Sequence, residues 1–373
     1  GFRNSDLNSG QITLSFGETI DRTSLDSALI TLASSHRGVS GANSYNYTLQ
    51  VTDVVSAVDS TVLVFSVAVP ELNAIKLNRL LCTLQQNCYM QYQLGMVRDM
   101  AGNAIGASAT EAPAYYRDYA QNLVQDETAP TIQSFTLDMN VGRLVMTFDE
   151  SVAWMSLRPQ HLTLQSTASL AAISLSLTRV NDMVVEVDGN VMVVLITTQD
   201  MNSIKTLQFC SSAADTFLSF SSAMITDTSA NANPVNAVLA TSALGIAIGG
   251  YLPDRTAPRL GAFSLSLDTS LLVLTFNEPV ATNSINFTAL QLLSNQTVAA
   301  VSKRLETGVV VTTAPVSTVI VLELSEADVV FCKSSRDIAT SADTTFLSAD
   351  VGVAQDGSLQ QSVTIAPASA IQA

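Results

Sequence analysis

One phrase recurs along this chain and limits what it can fold into. Asp126-Glu-Thr-Ala-Pro130 returns 128 residues later as Asp254-Arg-Thr-Ala-Pro258. Each copy opens the same apolar passage. In one it is Phe135-Thr-Leu137 followed by Leu144-Val-Met-Thr-Phe148-Asp-Glu150; in the other, Phe263-Ser-Leu265 followed by Leu272-Val-Leu-Thr-Phe276-Asn-Glu278. A third version without the opening phrase stands near the N-terminus as Ile12-Thr-Leu14-Ser-Phe16-Gly-Glu18. The period is too long for a solenoid turn of roughly 20–50 residues and matches a whole small domain. For 373 residues the length alone allows two or three domains of about 100–150 residues each. The repeat selects three, spanning 1–125, 126–253 and 254–373.

Hydrophobic residues make up 47%, enough for three cores, whereas only 13% are charged. The surface must therefore be covered largely by Ser, Thr, Asn and Gln. A net charge of −15 opposes phosphate backbones and anionic lipid, which argues against nucleic-acid binding and favours cations or basic partners. No basic-then-apolar leader follows Gly1, so the chain reads as an excerpt or processed product of a longer polypeptide. By the repeat offset, a further opening Asp is expected about six residues before Gly1 and another about ten residues beyond Ala373. The most apolar run, 237–252, is too short and Gly-rich for a membrane span and reads as strand and linker.

Within each copy the apolar period is two. Ile12, Leu14, Phe16; Leu144, Met146, Phe148; and Leu272, Leu274, Phe276 alternate with more polar neighbours, as antiparallel strands with one buried face do. Longer apolar runs at Val62–Val67, Val191–Ile196 and Val319–Leu324 suggest central strands packed on both sides or nearly so. About seven short strands per copy, separated by turn residues, indicate an all-β sandwich. Leu72-Asn-Ala-Ile-Lys76, Met201-Asn-Ser-Ile-Lys205 and Asp328-Val-Val-Phe-Cys-Lys333 break the pattern. There Asn and Asp can cap a single helical turn crossing between sheets. Each copy closes on a turn: Asp99-Met-Ala-Gly-Asn103, Asp227-Thr-Ser-Ala-Asn231, and Asp356-Gly-Ser-Leu-Gln360.

The Thr-Ala-Pro opening, the Leu-x-Leu-x-Phe-x-Glu strand and the Asp-x-x-Gly-Asn-Ala turn resemble bacterial-type Ig-like domains of the surface-layer class. Such domains recur in long secreted proteins of bacteria and, with the Asn-x-Ile-Lys segment, of algae and other protists. The resemblance covers all three copies and is closest in the second. It implies an Ig-like sandwich used as spacer, adhesive arm or coat component. The third copy departs at Asp356-Gly-Ser, which puts a ligand at that turn in doubt.

Catalytic motifs are missing from the sequence. His36 and His161 fall in non-equivalent loops, and no phosphate-cradling Gly loop, His-Glu-x-x-His or Cys-x-x-Cys occurs, so the chain is read as no enzyme and as needing no cofactor. Calcium is the one candidate ligand. Asp126 and Asp254 stand at domain junctions, Glu150 and Glu278 (with Glu18) end the first regular strand, and Asp99 and Asp227 occupy the closing turn. Carboxylates from two adjacent domains would suit an oxygen-loving, adaptable cation. The competing reading is that the Asp residues cap turns and the Glu residues close strand ends.

Cys82 and Cys88 enclose five residues and are expected to pair in an oxidising compartment. Cys210 lacks such a mate because Thr216 replaces Cys88, leaving it a candidate for an intermolecular bond. Cys332, in register with Ile75 and Ile204, reads as a buried thiol. Sequons at Asn46, Asn286 and Asn295 fit a secreted eukaryotic glycoprotein. Trp154 reads as local core or as an exposed contact. The expected function is an extracellular structural segment of a filament, appendage or cell coat. It would assemble by domain stacking and lateral contacts with copies of itself or neighbouring subunits. The alternative is an adhesin arm binding a glycan or protein near Tyr45, Tyr47, Tyr115 and Tyr116.

Overall fold

The computed structural model describes residues 1–35, 45–50, 52–105, 116–169, 173–178, 180–181, 188–296 and 301–373. His36 and Tyr115 lie outside them, as do the side-chain surroundings of Tyr116. The chain is all-β, built as a tandem of Ig-like sandwiches. The middle repeat shows the plan. One sheet orders its strands as Val180–Asn181, Gly189–Ile196, Arg143–Val152, Ile132–Asp138 and Tyr251–Leu252; the other as Ser174–Ser176, Leu162–Gln165, Phe217–Phe220 and Leu244–Gly245. Counted along the chain, the first sheet holds the first, second and sixth strands, with the short fifth at one edge and the short ninth at the other. The second sheet holds the third, seventh and eighth, flanked by the fourth. This is the ABED and C′CFG division of an Ig sandwich.

The flanking repeats follow the same order, with Gln11–Asp21 and Ser60–Val67 at the centre of one sheet and Leu271–Ala281 and Val316–Leu324 at the centre of another. Three separate cores fill the sandwiches. Phe2, Leu14 and Phe65 belong to one, Phe135, Met146 and Phe148 to the next, and Leu272, Leu274 and Ile320 to the last. The alternation read from the sequence is what places them: Leu144, Met146 and Phe148 are buried while Arg143 is exposed.

The apolar runs expected to be buried on both faces or nearly so are buried that way only in the middle repeat, where Met192, Val193 and Val194 are all buried. Val62, Val191 and Val319 are exposed, and burial alternates along Ser60–Val67 and Val316–Leu324. These sheets have one wet face, as antiparallel sheets commonly do. The expected single helical turn is also longer, a full helix in every repeat: α1 (Val69–Leu77), α2 (Thr198–Leu207) and α3 (Glu326–Ser334). The caps are not the Asn and Asp residues of the motif. Thr197 and Ser325 accept the N–H of Asp200 and Asp328, while α1 starts on Val69-Pro70 without a side-chain cap. Once inside the helix, the acidic residue takes another task. Glu71, Asp200 and Asp328 accept the backbone N–H of Gln50, Thr178 and Glu306, tying each helix to its own sandwich.

Segment 237–252 forms short strands at Leu244–Gly245 and Tyr251–Leu252, and no described helix is long and apolar enough to cross a membrane. Cys82 and Cys88 form a disulfide beyond α1. Cys82, Cys210 and Ala339 occupy the same place in the three repeats, and all adopt a left-handed φ. Opening the bridge by Cys88→Ser is expected to cost about 2 kcal/mol, since the closed loop is short. Urea unfolding of the variant, with reduced wild type beside it, checks this. Cys210 corrects an expectation: it is buried, and burial pushes its thiol up to about 12, so it is not placed for a bond to another chain. Cys332 is a buried core thiol. Trp154 packs partly buried against the middle core.

Candidate functional site

The strand that ends at the repeated Glu is irregular there. Between Thr147 and Val152 the pairing with Gly189–Ile196 shifts register, and the same shift occurs between Thr275 and Val280 and between Ser15 and Ile20. Such a bulge turns a side chain out of the regular alternation, and in each repeat the Glu lies inside it. Two residues on, Val152 bridges Asp227, Val280 bridges Asp356 and Ile20 pairs with Asp99. The closing-turn Asp is thereby brought beside the strand Glu of its own repeat. Its turn is held by its own carboxylate. Asp99 accepts the N–H groups of Ala101 and Asn103, Asp227 those of Ser229 and Asn233, and Asp356 those of Ser358 and Gln360.

Two corrections follow. The counterpart of Asn103 is Asn233, not Asn231, because the middle repeat's turn is two residues longer. The altered turn of the third repeat keeps the same carboxylate role, carried by Asp356.

At each junction the linker Asp completes a buried acidic trio, Asp126, Glu150 and Asp227 at one and Asp254, Glu278 and Asp356 at the other. All three members come from the linker and the following repeat. The preceding repeat supplies no carboxylate. It supplies a lysine. Lys76 of α1 places Nζ 2.9 Å from Asp126 Oδ2 and 2.9 Å from Glu150 Oε2, with only 8% of the residue exposed. Lys205 of α2 stands 2.7 Å from Asp254 Oδ2 and pairs with Glu278 as well. Asp99 joins no junction of this kind. It lies with Glu18 at the opposite end of the first repeat, in a cleft of about 300 Å³.

The asparagine of Asn-x-Ile-Lys crosses the junction too. Asn73 Nδ2 donates to the Asp149 carbonyl at 3.0 Å and Asn202 Nδ2 to the Asn277 carbonyl at 3.2 Å. Thr228 Oγ1 returns a bond to the Lys76 carbonyl. The linker itself is gripped from both sides. Asn8 accepts the N–H of Glu127, Asn140 accepts that of Arg255, and Asn233 donates to the Asp126 carbonyl.

Charge does not balance locally, with three carboxylates facing one ammonium. Burial would depress the lysine pKa values, but their carboxylate partners outweigh it and hold Lys76 and Lys205 above the ordinary value. Burial pushes Glu150 up to about 7 against the pull of Lys76, with Asp126 and Asp227 adding repulsion. Burial likewise raises Asp227, Glu278 and Asp356. Glu150 Oε1, Glu278 Oε1 and Asp356 Oδ2 are buried without a hydrogen-bond partner among the described residues.

Sequence reasoning assigned Asp126, Glu150, Asp227, Asp254 and Glu278 to a cation site, and these five gather as two clusters. It missed Asp356, hidden by the changed turn, and gave Lys76 and Lys205 no role. A signal was present. The chain has four lysines, and three of them occupy the same helix position in the three repeats.

Elsewhere chemistry is thin. Ser221 Oγ lies 3.1 Å from His161 Nδ1 on the surface, with no third group orienting the ring among the described residues. Asn46, Asn286 and Asn295 are all exposed, and Asn286 accepts the N–H and hydroxyl of Thr288.

No family model matches the chain, and no curated protein matches it in sequence. Among solved structures, the I9–I11 tandem from titin aligns over 96% of this chain and 94% of that one, at 8% identity and a TM-score of 0.17. A marsupial T cell receptor aligns over 93% and 94%, at 8% identity and a TM-score of 0.15. The Ig-like assignment rests on the strand order of the sheets.

Proposed function

We propose that this chain is a structural segment of an extracellular filament, appendage or cell coat, of the surface-layer-like tandem Ig kind. Its working parts are the joints between domains. The observation that carries this reading is the burial of a lysine from one repeat among carboxylates of the next, in the same geometry at both junctions. A buried ion pair adds little net stability, yet it is unforgiving of misplacement, so it specifies one orientation between neighbours. Flexible spacers have no use for such a device; a stiff array does. The disulfide and the exposed sequons support an oxidising, extracellular setting.

In this proposal the ammonium does the work considered for calcium. A divalent ion would have to expel Lys76 or Lys205 from its carboxylates. The melting temperature is accordingly expected to be unchanged by millimolar calcium or by a chelator; a calcium-dependent rise would reassign the trios to metal.

The adhesin alternative draws no comparable support: Tyr47 packs against the first core, leaving Tyr45 as the exposed tyrosine of that pair. Small-angle scattering tests the structural reading. The wild-type chain is expected to scatter as a rod with one narrow set of dimensions, and Lys76→Met with Lys205→Met to broaden it. A wild type already as flexible as the double variant sinks the reading.

A further inference from the structure

The two joints inside the chain share one plan but differ at the closing turn. At the first, Thr228 follows Asp227 and is buried, and Asn233 Nδ2 donates to Asp227 Oδ2 at 2.8 Å. At the second, Gly357 follows Asp356. It is exposed, with no other part of the chain within 4 Å of where its Cβ would stand. Gln360 takes the place of Asn233, and its backbone N–H reaches Asp356 Oδ1. Asp356 Oδ2 is left without a hydrogen-bond partner among the described residues, although the residue is only 2% exposed. Beside it lies a cavity of about 240 Å³ with Lys205, Asp254 and Asp356 in its wall and the exposed Gln208, Ser211 and Ser358 at its margin. Met139, Phe209 and Tyr251 supply an apolar lining. The first repeat has Leu7, Leu81 and Leu123 in the matching positions, so the aromatic wall belongs to the second joint.

We infer that this cavity binds a small primary alkylammonium ion, its ammonium donating to Asp356 Oδ2 and its alkyl body lying against Met139, Phe209 and Tyr251. The site goes beyond the structural reading above and stands or falls apart from it.

Charge, chemistry and size each narrow the occupant. Asp254, Glu278 and Asp356 face Lys205 as their one described cation, which leaves the cluster short of positive charge. Of the two trio carboxylates in the wall, Asp254 is engaged by Lys205 and by the Thr256 N–H. Asp356 is the one with an oxygen to offer, and a buried acceptor without a donor is costly. A calcium ion seeks about six to eight oxygen ligands, which a single available carboxylate oxygen among apolar side chains does not provide. A neutral alcohol would donate to the same oxygen but leave the charge uncompensated. An alkylammonium meets both needs, and aromatic side chains are favourable neighbours for such a cation. The volume is below the roughly 300–1,000 Å³ of sites for drug-sized ligands, which limits the body to a few carbon atoms.

Isothermal titration calorimetry of the full chain with n-butylammonium tests this, with sodium and n-butanol as probes lacking the alkyl body and the charge. Wild type is expected to bind butylammonium at a single site and neither comparison probe at the same concentration. Asp356→Asn keeps an oxygen for the turn and removes the charge. Gly357→Thr restores the side chain that the middle repeat buries at this place. Each is expected to weaken binding about tenfold or more. Asp337→Asn, which removes an exposed charge from the same repeat, is expected to leave it unchanged. Equal binding by wild type, Asp356→Asn and Gly357→Thr would be general attraction to an acidic chain and would overturn the site, as would equal binding of sodium or butanol. Absence of binding to wild type would mean that water alone fills the cavity, which also overturns it. A capped lysine amide that binds more tightly than butylammonium would keep the alkylammonium site and make its source a partner's side chain. None of these outcomes alters the scattering that tests the structural reading.

Discussion

Replacing Lys76 by Met is expected to destabilise the first junction by about 3–5 kcal/mol, the cost of leaving buried carboxylates without their cation. Methionine fills a similar volume, so the loss is electrostatic rather than a cavity. Lys333→Met, the same change at an exposed position of α3, is expected to fall within about 0.5 kcal/mol of wild type. The single tryptophan makes the measurement direct. Trp154 belongs to the middle repeat, and its backbone N–H donates to Asp188, which also pairs with Arg79 from the first repeat. Its fluorescence in a denaturant titration therefore reports the repeat whose receptor is damaged. Glu150→Gln added to Lys76→Met should restore part of the loss, because one buried charge then no longer needs a partner. Equal destabilisation by Lys76→Met and Lys333→Met would remove the ion cluster from any account of the junction.

The second large effect is on pH. Glu150 titrates near 7 in the folded chain, above the ordinary glutamate value of 4.5. The folded state thus holds this proton more tightly than the unfolded state does. The stabilisation from that proton is full below about 4.5 and is lost as pH rises through about 7. Asp227, Glu278 and Asp356 are raised as well and act in the same direction. Asp6, Asp21, Asp99 and Asp215, held below the usual carboxylate range, act oppositely, losing their contribution as pH falls below that range. Stability is therefore expected to rise by on the order of 2–3 kcal/mol on acidification from pH 8 to 5, and to fall again in stronger acid. Glu150→Gln should flatten the rise at the first junction. A melting temperature that does not change between pH 5 and 8 would sink this account.

The tandem sandwich was legible because its signals are periodic and local. Leu144, Met146 and Phe148 repeat at the strand period, and Asp126-Glu-Thr-Ala-Pro130 marks a boundary by recurrence. Burial on the second face was misjudged at Val62 and Val319, since an apolar run looks the same on a wet face as in a core. The carboxylates of the junction were visible as repeated residues, but their partner was not. Lys76 lies 50 residues before Asp126 on a different element, and only the fold brings α1 across the domain boundary. Cys210 was misread because a left-handed loop residue can point inward, and no local pattern records that. Asp356 escaped because its turn had lost the Gly-Asn by which its counterpart was recognised, while keeping the carboxylate that matters.

The first strand of the middle sandwich lies beside its last, and the two run parallel, with Leu137 opposite Tyr251 and Asp138 opposite Leu252. The first repeat does the same with Asn4–Asp6 and Asn122–Val124. Tension along the array enters a domain at the start of one of these strands and leaves at the end of the other. Pulled that way, parallel neighbours slide lengthwise, and bonds such as Leu137 N–H to the Gly250 carbonyl and Met139 N–H to the Leu252 carbonyl are loaded together instead of opening one after another. The linker between Gln125 and Thr131 has little slack to absorb the load, held as it is by Asn8 on one side and Asn233 on the other. In the proposed filament, a pull along the array would reach the first and middle sandwiches through strands loaded in shear.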